Sequence, residues 1–128
     1  METMEMEALK RLRMRNRCRM IGETMLALGI LPHLNGYRPL CEAIRVVMQA
    51  DRTARIRYSD VVKWTEELFG LKDADHAMRD AIRTGFLNEV EEQRAMFPFT
   101  KRPSNAEFIW TVAEALRDRD ALTGPFFP

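Results

Sequence analysis

Residues 59–86 read SDVVKWTEELFGLKDADHAMRDAIRTGF, and the fold turns on how this stretch is divided. Ser59 can cap a helix start, Asp60 adds a carboxylate to its first turn, and Gly70 supplies a C-terminal stop. Val61, Trp64 and Leu68, spaced three and four apart, predict its buried stripe. Asp73 can cap a second helix almost at once. Ala74, Ala77, Met78, Ala81, Gly85 and Phe86 then make a mostly small inner face, which would let that helix lie close to a neighbour. A helix, a short glycine turn and a second helix with a small inner face trace the outline of a helix-turn-helix over residues 59–86.

Outward from this stretch the helical period continues in both directions. Met14, Cys18, Ile21, Met25 and Leu28 predict a long first helix, with Thr3 as cap and Gly29 then Pro32 as stop. Its stripe reads most simply as a core face, because two heptads are too few for a coiled-coil seam. A second helix is expected from Tyr37 to Ala50, with Tyr37, Leu40, Cys41, Ile44, Val47 and Met48 inward and Pro39 tolerated in the first turn. Between Leu87 and Arg102 the pattern weakens, and Met96, Phe97, Pro98 and Phe99 suggest a short helix yielding to a loop packed by its own aromatics. Ser104 and Glu107 form an S-x-x-E capping box before the apolar stripe Phe108, Ile109, Val112, Ala113 and Leu116, and Gly124 with Pro125 ends that helix. Alternating β-branched runs are missing, so the expected fold is all-α: a single domain, 1–128, built as a compact bundle of about six helices.

A chain of 128 residues, 46% of them hydrophobic, suffices for one domain with a real core. Charge is nearly balanced overall but unevenly placed. Met1 to Trp64 holds 12 Lys and Arg against 7 Asp and Glu, a net of +5, and Thr65 to Pro128 holds 8 against 12, a net of −4. Cys18 and Cys41 lack metal-ligand spacing and are expected to be small buried side chains in a reducing cytosol. The opening METMEMEALKRLRMRNR lacks the apolar core of a secretory signal, and no apolar run is long enough for a bilayer. The expectation is a soluble cytoplasmic protein with no membrane partner.

Signatures that need several residues at fixed spacing are absent: no glycine-rich phosphate loop, no H-E-x-x-H, no paired CxxC and no G-x-S-x-G. Catalysis, a cofactor, a metal and a small-molecule substrate are therefore not expected. His33, in a turn, reads as a structural residue rather than a ligand or base, and the nine methionines as core fillers. On the helix opened by Asp73, 100° per residue gathers Lys72, His76, Arg79 and Arg83 into one sector opposite the alanine face. This stripe fits either a solvated surface, diluted by Asp75 and Asp80, or contact with a DNA major groove, where arginine bonds guanine edges. The run Lys10, Arg11, Arg13, Arg15, Arg17 and Arg19, within a basic helical extension over residues 1–20, fits acid pairing as well as phosphate contact. Lys101 and Arg102, just ahead of the Ser104 cap, join two cations to the free N–H groups of a helix start and form a candidate phosphate clamp.

Three stretches, LALGILPHLNGYRPLCEAIRVVM (26–48), AMRDAI (77–82) and KRPSNAEFIWTVAEALR (101–117), resemble in the same order the C-terminal effector domain of the sporulation initiation response regulators, the stage zero sporulation protein A family. The resemblance runs over about residues 21–122. It implies six helices and a helix-turn-helix that reads a promoter element. The family's regulators carry a phosphoacceptor receiver domain ahead of this one, for which the short extension offers no counterpart, so control by aspartyl phosphate is not expected. Where the family's recognition helix is rich in arginine near its start, this sequence has Asp73, Asp75 and His76, with Arg79 the clearest retained cation. Two expectations follow. One is a sequence-specific transcription regulator binding double-stranded DNA through Lys72, His76, Arg79, Arg83, Lys101, Arg102 and Ser104. The other is a protein-interaction module, derived from such a domain, that has lost DNA binding. Either could form a homodimer or pair with a related regulator.

Overall fold

The first helix of the computed structural model, which describes residues 2–51, 53–87, 99 and 101–123, is α1 (Glu2–Ala27). Its helix begins before Thr3, which lies inside the first turn rather than capping it. The helix stops as the sequence predicts: Gly29 takes a left-handed conformation at φ 79°, its N–H reaches Leu26 O at 3.0 Å, and the Ile30 N–H reaches Met25 O at 2.9 Å. This closure satisfies carbonyls that the last turn leaves open and drives Ile30 into the core. The chain then turns at 31–36 into α2 (Tyr37–Gln49), α3 (Tyr58–Phe69), α4 (Ala74–Leu87) and α5 (Asn105–Thr123). The described residues are all-helical, with five helices and no strand. The short helix expected after Leu87 falls mostly outside the described residues, as do Gly124 and Pro125. Phe99 is described, and its ring packs against Phe86 (5.9 Å between centroids) and Phe108 (6.1 Å).

α2 packs against each of the other four helices and is the centre of the bundle. Leu40, Ala43, Ile44, Val47 and Met48 are buried on it, Tyr37 and Cys41 half-buried, and Pro39 sits in its first turn as expected. Burial pushes the Cys41 thiol up to about 11, so it stays protonated at neutral pH. The C-terminal carbonyls of α2 are capped from across the molecule: Arg117 of α5 donates to Val47 O, to Met48 O at 3.1 Å and to Ala50 O at 3.2 Å. On α5 the whole expected stripe, Phe108, Ile109, Val112, Ala113 and Leu116, is buried.

Two stripes differ from expectation. Of the expected α1 stripe only Ile21, Met25 and, just past the helix end, Leu28 enter the core, while Met14 and Cys18 are exposed, although Arg13, Arg17 and Cys18 still lie beside α5 and α2. On α3, Val61 is buried but Trp64 (45% exposed) and Leu68 (50%) face outward, and Thr65 takes the inner position with its hydroxyl bonded to Val62 O at 2.8 Å. The helix is rolled toward α4, where the Glu66 carboxylate accepts the Ala74 N–H at 3.1 Å and so helps cap α4. The indole N–H of Trp64 donates instead to Glu42 on α2 (3.3 Å). The start of α3 also shifts: Ser59 lies within the helix, Arg57 is the cap residue, and the Asp60 carboxylate accepts the Arg57 N–H at 3.4 Å. The stop at Gly70, φ 65°, is as read.

α4 shows why its inner face is small. A Cβ on Gly36 would lie 2.0 Å from Ala77 O, and one on Gly85 2.7 Å from the Ile30 side chain. The link after α1 thus crosses α4 at backbone contact, fixing where α4 stands.

Candidate nucleic-acid interface

Each polar residue on the outer side of α4 is placed by the helix period, with Asp73 starting the count. Its carboxylate accepts the His76 N–H at 3.0 Å, the N-cap the sequence predicts. Lys72, His76, Arg79 and Arg83 are all exposed. The flanking acids bond to three of them. Asp75 pairs with Arg79, while Asp80 receives His76 Nε2 at 3.1 Å and Arg83 at 3.3 Å. Such exposed pairs within one helix are worth a few tenths of a kcal/mol each, so a stronger anion can take the cation from its partner.

The fold brings two of the predicted clusters together. Arg79 of α4 shares a groove of about 610 Å³ with Lys101, Arg102 and Ser104, which lead into α5. Three cations and the start of a helix thus face one concavity, with Asp75 and Glu107 also in its lining, so the cations outnumber the carboxylates by one. The Ser104 hydroxyl oxygen is engaged within α5, accepting the Glu107 N–H at 3.1 Å, so its part in the groove is to hold the helix start in place. Lys72, His76 and Arg83 lie outside the lining of this groove.

Under Arg79 lies a polar cluster that sequence reasoning missed. Tyr58, at the start of α3, donates its hydroxyl to Asp75 Oδ1. Asn105, in the first turn of α5 and only 6% exposed, donates Nδ2 to Tyr58 Oη (2.9 Å), to Asp75 O (2.8 Å) and to Asp75 Oδ1 (3.2 Å). Burial, reinforced by the bond to Asp75, pushes the Tyr58 hydroxyl up, so it remains a donor throughout the physiological range. The other Asp75 oxygen holds Arg79. Three helix starts are thereby tied together directly beneath the guanidinium. The only sequence signal was weak: side chains able to hydrogen-bond near helix starts, 47 and 30 residues apart in the chain.

The N-terminal basic run is largely acid-paired. Arg13 and Arg17 both reach the buried Asp120, at 3.5 and 3.0 Å, and Arg11 and Arg19 face Glu7 and Glu23 within α1. His33 is exposed in its turn. Among the described residues no helix is long and apolar enough to cross a membrane, and no group of three or more His, Cys, Asp or Glu is disposed to hold a metal ion. Comparison with protein-family models, curated proteins and solved structures gives no match.

Proposed function

We propose that the chain is a sequence-specific DNA-binding transcription regulator of the cytoplasm, in which α3, the link 70–73 and α4 act as a helix-turn-helix with α4 as the recognition helix. The observation that carries this reading is the groove where Arg79, Lys101 and Arg102 meet at the start of α5. A DNA backbone presents phosphates at regular intervals, and a helix start flanked by two cations is suited to one of them while α4 enters the major groove. Arg79, itself exposed, would then exchange its half-buried Asp75 partner for the two acceptors of a guanine. Ordered resemblance to the sporulation regulators' effector domain over 26–48, 77–82 and 101–117 points the same way.

A second reading rests on the acids. Asp75 and Asp80 partner three of the four stripe residues, and a surface of paired charges suits docking to another protein that carries its own charge pattern. A salt series on mixed genomic DNA separates the two. Phosphate neutralisation makes affinity fall linearly on logarithmic axes, by about 0.9 per phosphate contacted. The DNA reading expects such a slope, reduced by about 1 to 2 in the Lys101→Ala/Arg102→Ala double variant. Absence of binding even at low salt would hand the lead to the protein-docking reading.

A further inference from the structure

Among the described helices α1 is the longest, 26 residues against 19 in α5, and its N-terminal half is largely exposed. Of the eight large apolar side chains that the described residues expose, four fall between Met4 and Met14: Met4 (75% exposed), Met6, Leu12 and Met14. Met4, Glu7, Arg11 and Met14 follow one another at intervals of three and four. They continue toward the N-terminus the same stripe that Ile21, Met25 and Leu28 bury in the core. Arg13 and Arg17, which reach Asp120 of α5, mark the side of α1 turned to the bundle, about 100° and about 60° round the helix from Met14. This side of α1 has apolar ends with an acid and a base between them, and Met4, Glu7, Arg11 and Met14 are all exposed.

The charge order selects the partner. Residues 3–9 hold Glu5 and Glu7 and no base; residues 10–19 hold Lys10, Arg11, Arg13, Arg15, Arg17 and Arg19 and no acid. Two copies laid parallel would set Glu7 on Glu7 and Arg11 on Arg11, which repels. Laid antiparallel about a two-fold axis near Leu9, Met4 meets Met14 and Glu7 meets Arg11, each contact occurring twice as an isologous interface requires. We propose that α1 pairs antiparallel with α1 of a second copy through Met4, Glu7, Arg11 and Met14. The exposed Glu7–Arg11 pair within each helix, 3.9 Å apart, becomes half of a four-charge ring of alternating sign, closed at each end by a methionine pair. The pairing is independent of whether the chain binds DNA.

Sedimentation equilibrium on the full chain tests this. The wild type is expected to dimerise. Glu7→Arg alone, or Arg11→Glu alone, sets like charges across the axis and should raise the dimer dissociation constant by about tenfold or more. Losing the pair within the helix accounts for only about a twofold change, well under a tenfold effect. Glu7→Arg combined with Arg11→Glu rebuilds the ring with signs reversed and should return the constant to within about threefold of wild type. A chain that stays monomeric at the highest concentration reached, a dimer indifferent to the single swaps, or a double variant as weak as the singles would each overturn the proposal.

Discussion

Asn105 does more structural work than its place in a capping segment suggests. Its buried amide bridges Tyr58 and Asp75, and through Asp75 it bears on where the Arg79 guanidinium stands. Asn105→Ala would leave the Tyr58 hydroxyl and the Asp75 carboxylate short of a donor in a part-buried site, at a cost of about 1 to 3 kcal/mol read from the urea midpoint. A midpoint unchanged from wild type would mean that the cluster is dispensable. A second residue carries a pH signature. The bond from Arg45, with a lesser one from Trp64, holds the Glu42 carboxyl below the usual glutamate range against the opposing effect of burial. A carboxyl depressed in the folded state contributes stability that is fully present above its ordinary pKa and lost as pH falls toward the folded value. Wild type should therefore lose stability more steeply on acidification than Glu42→Gln, and parallel curves of urea midpoint against pH would contradict the assignment.

At the scale of the helices, the tightest constraint is the crossing of the link after α1 over α4. Gly36→Ala would drive a methyl group into the Ala77 backbone and should cost about 3 kcal/mol in thermal or urea unfolding, because neither neighbour is a side chain that can turn aside. A loss of a few tenths would show the crossing to be looser than described. The small inner face of α4 was legible in its alanines and Gly85, as were the stripes of α2 and α5 and the glycine stops after α1 and α3. Trp64 and Leu68 were misread because a period gives a face without saying how far the helix is rolled, and Thr65 is small enough to let α3 turn toward α4. Met14 and Cys18 are exposed although they lie on the stripe, because a stripe does not say how closely its neighbours pack along its length. The Arg117 cap on α2 joins residues about 70 apart in the chain, a distance over which local spacing carries no signal.

At the scale of the molecule, the sequence offered Arg79 and the Lys101–Arg102 clamp as separate features, and only packing of α4 against α5 sets them around one groove. The acids that partner the α4 stripe were visible as neighbours at helical spacing, although their bonding to His76, Arg79 and Arg83 was not. In the DNA docking proposed above, Arg79, which lines the groove, would meet a base, whereas Arg83, a turn further along α4 and outside the lining, would meet a phosphate. The direct measurement is selection from a random DNA library with the purified chain, followed by affinities of the selected site for wild type, Arg79→Ala and Arg83→Ala. A DNA-reading α4 should yield an enriched motif, a loss of about 1 to 3 kcal/mol with relaxed preference at one base pair for Arg79→Ala, and a weaker affinity with unchanged preference for Arg83→Ala. A library from which nothing is enriched, or a motif that Arg79→Ala binds as tightly and as selectively as wild type, would contradict it.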